Sequence, residues 1–402
     1  MLSKIIFKNI INLIIFNCVN LFVPLILIPL IITKFNTKVY GEFIFYNSIF
    51  ILLGFILNLG STQSALILIN KYKKSITEVY SSILTLKLCI MFFFLLTYYI
   101  LSELLVDLIP NYTIYYIYFL VYELFLSDWV YYYKNKLNIM ALINSLNKLF
   151  PLICLLLFDK YINAFSTLLL IFLTSSILSG IISIIYLYFK NIKFKFQSIL
   201  TIKNNLKIIF SFFWVFLLGK TRLIANKLVV GSFFSFELLA VFDIAEKIKN
   251  ITLLPSQIIV DSNYSTQSKS FNTLLFKKTM LMVLISTITL ILLSLAVIKN
   301  LFIFKDINKD FLFSILLAFS PLLILQSVNY HIQKSYLLST SKLKLLNRVS
   351  IISSLSFFLI LSFLLILNNV SIYCLIINNI MSALIASFFY IKYIINENIL
   401  FK

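Results

Sequence analysis

The chain of 402 residues has a single histidine, six glycines, six prolines and four cysteines. One histidine, His331, excludes HExxH and any two-histidine zinc site. No GxSxG motif or Ser/His/Asp set is available either. So few glycines and prolines exclude collagen-like and proline-rich low-complexity chains. Cys18, Cys89, Cys154 and Cys374 each stand alone in an apolar run without a CxxC, which reads as packing residues rather than a disulfide framework or metal site. Charge is also scarce. Only 12% of residues are charged, against about 25% in a soluble domain. That is too little to coat a soluble surface of this size.

Apolar residues fill the gap. They make up 61% of the chain, which excludes disorder and points to an all-α membrane protein. A transmembrane barrel would show short alternating segments instead. Twelve runs are long enough to cross a bilayer, at about 9–33, 40–69, 79–102, 111–133, 138–158, 162–189, 207–231, 235–260, 275–298, 311–333, 345–367 and 371–395. The first is too long for a signal-peptide core. The longest connection, near Lys190 to Lys207, is basic and falls mid-chain. The expectation is a six-helix half over 1–198 and another over 199–402, around a central cavity where a substrate would bind.

The formal net charge is +20. With both termini placed in the cytoplasm, most of the 34 basic residues fall in inside segments, among them Lys71, Lys73, Lys74, Lys193, Lys195 and Lys203. The charge then serves insertion and contact with anionic lipid headgroups. Scattered over many short loops, it does not suit nucleic acid. Gly219-Lys220-Thr221 imitates the end of a phosphate-binding loop, but Trp214 stands where the pattern needs glycine, and no strand precedes it. No ATPase site follows.

Ionisable residues in a span cost at least about 2.5–3.5 kcal/mol at its centre, so their positions carry information. Span seven holds Lys220, Arg222 and Lys227. Span eight holds Asp243, Glu246, Lys247 and Asn250 on one helical stripe. Counting inward from a turn near Gly231 sets Arg222 level with Asp243, and Lys220 with Glu246 slightly deeper. These groups read either as ion pairs between two helices or as the charged lining of a cavity. The first half has Lys87, Glu123, Asp128 and Lys148, the last beside Asn144 and Asn147 and before Pro151. A cation among amides suits a cavity wall, while snorkelling to the surface is the alternative for Lys148. Glu123, Asp128 and Asp243 are candidates to couple an ion. Gln326, Asn329 and Gln333 line one face of span ten, suited to sugar hydroxyls or to helix–helix contacts. His331 beside them reads as a structural hydrogen-bonding residue. Pro24 and Pro29 should bend span one.

The opening third runs Asn17, Pro24, Pro29, Thr33-Lys34-Phe35, Tyr40-Gly41-Glu42-Phe43, Asn58-Leu59-Gly60 and a basic Lys71-Tyr72-Lys73. A second stretch is Asn226-Lys227-Leu228-Val229-Val230-Gly231, then Glu237 to Ala245-Glu246-Lys247-Ile248. Together these resemble the Wzx-type polysaccharide flippases of the multidrug/oligosaccharidyl-lipid/polysaccharide exporter superfamily. Asn226 stands where that pattern often has aspartate, and Phe242 where it has tyrosine. The resemblance implies a non-enzymatic transporter of the bacterial inner membrane. It would flip undecaprenyl-diphosphate-linked oligosaccharide, such as an O-antigen unit for lipopolysaccharide, by alternating access. No cofactor is implied beyond a proton or sodium gradient. Partners would be membrane lipid, the lipid-linked substrate, and polysaccharide polymerase and chain-length machinery. On this reading Lys220, Arg222 and Lys227 attract the anionic head, with Lys148 or Lys87 opposite. The alternatives are a polymerase or ligase of surface-polysaccharide assembly, disfavoured by the short loops, and a small-molecule exporter of the same superfamily. Exporters of organic cations favour acidic cavities.

Overall fold

The computed structural model describes the backbone of residues 2–397 apart from 71, 105–110, 135, 196, 198, 270, 301–307, 341 and 368–369, and side chains from 19 onward except at scattered positions. Asn17, Cys18 and Lys71 lie outside the described side chains. The predicted spans fall mainly in helix, the second broken at Leu59–Gly60 and the fourth at Leu126–Ser127, and no strand occurs among the described residues. In chain order the helices are α1 (Leu2–Asn58), α2 (Ser61–Asn70), α3 (Ile76–Leu104), α4 (Ile117–Phe125), α5 (Asp128–Tyr133), α6 (Leu137–Leu157) and α7 (Phe165–Phe189). They continue with α8 (Ile199–Phe233), α9 (Phe236–Lys269), α10 (Thr273–Asn300), α11 (Lys309–Ile332), α12 (Leu343–Ile366) and α13 (Ile372–Asn396). Among the described residues, eight helices are long and apolar enough to cross a membrane. The chain is a multi-pass, all-α membrane protein.

Large apolar side chains face outward throughout. Phe92 on α3 is 70% exposed and Leu359 on α12 is 69% exposed. In water such a surface would aggregate; against hydrocarbon it costs nothing. Cys89 belongs to this outer face and is exposed, whereas Cys154 and Cys374 are half-buried. The expectation of buried packing cysteines is therefore corrected for Cys89, because apolar surroundings here include the lipid side.

Two compact units emerge. The first comprises Met1–Leu30 and Glu42–Ile224, the second Ile31–Gly41 and Ala225–Lys402. In the first, small residues on one face of α7 let its neighbours approach. Ser175 and Ser176 donate to Asn147 Oδ1 on α6 at 2.7 and 3.2 Å. Gly180 lies under the Phe125 ring of α4, where an added Cβ would come within 2.9 Å of it. In the second unit, α9, α10, α11 and α13 pack on one another in turn. Asn329 on α11 donates to the Ala383 carbonyl and accepts from Ser387, both on α13.

One interruption falls in the predicted connection between 33 and 40, and another falls inside a predicted span. Pro24 and Pro29 lie inside α1, yet its non-helical residue is Asn36 at φ 73°. Asn36 Oδ1 accepts from the Val39 amide at 2.9 Å, starting the next helix. The elbow so formed, Ile31–Gly41, belongs to the second unit. It seats closely there, since a Cβ on Gly41 would fall 1.7 Å from the Phe236 carbonyl oxygen. Only glycine fits.

The fourth span is a correction. The sequence predicts a continuous helix over 111–133, but the structure has a 3₁₀ turn (Asn111–Tyr116), then α4, a break at Leu126–Ser127, and α5. No proline or glycine marks the break. Leu126 turns extended at ψ 121°, with its amide bonded back to Tyr122. Tertiary partners hold the freed carbonyls, and their identity matters below.

Candidate functional site

From Ala225 onward α8 belongs with α9 to the second unit, and the two are joined by a turn at Phe234–Ser235. Ser235 caps α9 by accepting from the Leu238 amide at 3.2 Å. This turn falls later than the predicted one at Gly231, which changes the register. Lys227 and Asp243 now stand at matching distances on either side of it. The expected levels of Arg222 with Asp243 and Lys220 with Glu246 are corrected accordingly. Lys227 Nζ meets Asp243 Oδ1 at 2.7 Å and Glu246 Oε2 at 3.0 Å.

The network extends from there. Lys247 Nζ lies 2.8 Å from Asp243 Oδ2. Tyr40, carried by the elbow, donates its hydroxyl to Asp243 Oδ2 at 2.6 Å and accepts from Lys247 at 2.8 Å. Lys249 Nζ lies 3.5 Å from Glu246 Oε1 and 5.0 Å from the Phe319 ring centroid. Asp243 is 1% exposed. Three lysines thus face two carboxylates in a largely buried cluster, which leaves a positive excess. Tyr40 and Lys249 were missed as site residues. Tyr40 stood in the sequence pattern as part of Tyr40-Gly41, and Lys249 follows Glu246 by one helical step. Asn250, expected on the same stripe, is exposed.

The first unit holds a second cluster. Lys87 on α3 is 2% exposed. It donates to the main-chain oxygens of Glu123 at 2.6 Å and Leu126 at 3.3 Å. Asn58 donates to Glu123 Oε2 at 2.9 Å. Asp128 opens α5, and its buried Oδ1 has no partner among the described residues. Lys87 is therefore no open cavity wall. Nor are the amides beside Lys148: Asn147 holds the α7 serines and Asn144 accepts from the Tyr122 hydroxyl. Lys148 itself is half-buried.

Lys220 differs from all of these. It is exposed midway along α8. Its Nζ lies 5.7 Å from the Phe55 ring and 5.9 Å from the Phe216 ring. No carboxylate lies within ion-pair distance of it among the described residues. An ammonium held by two aromatic faces keeps three N–H donors for another acceptor.

The amide stripe of span ten is used mainly inside the fold. Asn329 joins α11 to α13, and Gln333 donates to the Tyr390 hydroxyl at 3.0 Å. Gln326 is half-buried. His331 is buried, with Nε2 3.1 Å from the Phe276 carbonyl and Nδ1 3.1 Å from Ser335 Oγ, its ring stacked on Phe276. It is a hydrogen-bonding strut. Just after it, Gln333–Leu338 forms a π-helical turn. Beyond that, Lys342 loses hydration by burial, yet its hydrogen bonds to Tyr336, Tyr393 and Glu397 hold its ammonium above the usual lysine range.

No family model and no curated protein matches the chain. Solved structures do. A lipid II flippase, MurJ, in an inward closed conformation aligns with a TM-score of 0.73 at 18% identity, over 98% of this chain and 89% of its own. A multidrug resistance MATE family transporter of the MOP superfamily, inward-facing, aligns at 0.62 and 11%, over 91% of each. A Vibrio cholerae MATE transporter aligns at 0.60 and 14%, over 100% of this chain and 99% of its own. The chain has the fold shared by these transporters.

Proposed function

We propose that this protein is a flippase that moves a lipid-diphosphate-linked oligosaccharide across the bacterial inner membrane, with both of its termini in the cytoplasm. The observation that carries this reading is Lys220, an exposed cation midway along α8 with no carboxylate within ion-pair distance among the described residues. The positive excess of the Lys227/Asp243/Glu246/Lys247/Lys249 cluster supports it. The Lys220 ammonium repels the organic cations that an acidic exporter would carry. It replaces part of the hydration of a diphosphate with charge-assisted hydrogen bonds, while the polyprenyl tail stays in lipid.

The lipid fold neighbour favours the same class of cargo by analogy of fold only. Glu123 and Asp128 are the groups through which a proton gradient would act, since Asp243 is already held by two lysines and a tyrosine. In a bacterium deprived of this chain, single lipid-linked units should accumulate on the cytoplasmic leaflet and surface glycan should disappear. Units that still reach the outer leaflet but stay unpolymerised would overturn the proposal in favour of a polymerase or ligase.

A further inference from the structure

The break in the fourth span frees carbonyls that a continuous helix would use. Val130 bonds to Ser127 at 2.9 Å rather than to Leu126. Ser183 on α7 donates to the Phe125 carbonyl at 3.3 Å. The carbonyls of Glu123 and Leu126 take Lys87 instead, at 2.6 and 3.3 Å. The Glu123 and Asp128 carboxylates act on the same ammonium electrostatically. Its hydrogen-bond partners are thus two main-chain oxygens at the negative end of a half-helix. Unwound carbonyls and half-helix C-termini of this kind are what membrane transporters use to hold a monovalent metal cation. In this chain the position is filled by a side chain that is 2% exposed.

We infer that Lys87 is a tethered cation, occupying at the α4–α5 break the place that a diffusible alkali cation would take. The ammonium is compact and hydrogen-bonds oxygen as a small cation does, but it cannot dissociate. The first unit accordingly keeps its broken helix without binding sodium or potassium at this point. An alkali-cation gradient cannot act here, whatever the cargo.

The test is thermal unfolding of the purified full chain in lithium, sodium, potassium, methylammonium or bulky N-methylglucamine chloride at constant ionic strength. The unaltered protein should melt at the same temperature in all five. Lys87→Ala vacates the position, so it should melt roughly 10 °C lower in N-methylglucamine. It should regain at least half of that loss, saturably, in lithium, sodium or methylammonium. Lys87→Met fills the space without charge and should show no such recovery. Should Lys87→Ala fail to fold, Lys87→Ser keeps a small polar group and leaves the position open, and should itself show the saturable response. Absence of any cation response in the variant that folds would overturn the inference. So would a saturable sodium response of the unaltered protein that Asp128→Asn abolishes.

Discussion

Asp243→Ala is expected to unfold the second unit at temperatures the unaltered protein tolerates. The carboxylate is 1% exposed and receives Lys227, Lys247 and the Tyr40 hydroxyl. Its removal leaves Lys227 with Glu246 at 3.0 Å and deprives Lys247 of its carboxylate partner. Deleting one partner of a buried ion pair costs about 3–5 kcal/mol, because the survivor stays desolvated and uncompensated. Tyr40→Phe deletes one hydrogen bond to a charged acceptor and should cost less, about 1.5–3 kcal/mol. That smaller loss should still loosen the Ile31–Gly41 elbow, which Tyr40 ties to α9. Thermal unfolding in detergent should therefore rank unaltered, Tyr40→Phe, Asp243→Ala in falling order. Equal stability of Asp243→Ala and Tyr40→Phe would show that the network is not the main tie.

Lys220→Met should do the opposite: remove transport and leave the fold alone. The side chain is exposed and lies against the Phe55 and Phe216 rings. A methionine of similar length keeps that contact. What it loses is a charge-assisted contact to the anionic head, about 1.5–3 kcal/mol, which corresponds to a tenfold or greater drop in flux. Lys220→Arg should retain most of the flux. The check is a complementation series with surface-glycan yield beside the melting temperature of each purified variant. A Lys220→Met protein that melts normally and transports normally would remove this residue from the site.

Much of the architecture is legible in the sequence because a bilayer imposes long apolar runs that need no tertiary information to find. The helices of all twelve predicted spans follow from that rule alone. The α8–α9 ion pairing was legible in kind, since Lys227, Asp243, Glu246 and Lys247 stand out in apolar surroundings. Its register was not, because a shift of the turn from Gly231 to Phe234–Ser235 exchanges Arg222 for Lys227 as the partner of Asp243. Tyr40 was legible in the Tyr40-Gly41 pattern but not as a site residue. It lies 203 positions from Asp243, and nothing local points to a carboxylate partner. The α4–α5 break was hidden likewise. Its carbonyls are satisfied by Lys87 and Ser183, which belong to other helices, so a stretch without proline or glycine reads as continuous. Asn144, Asn147 and Asn329 read as polar lining because an amide that binds a ligand and an amide that binds a neighbouring helix have the same sequence signature.

The central claim is that the chain moves an anionic lipid-linked glycan from one leaflet to the other. Its most direct test is reconstitution of the purified protein in vesicles with a fluorescent polyprenyl-diphosphate oligosaccharide in both leaflets. A membrane-impermeant quencher then reads the outer pool. Protein-containing vesicles should show nearly complete quenching within the time course, and Lys220→Met vesicles should lag by tenfold or more. Quenching that stops at the outer-leaflet half in both would contradict the account.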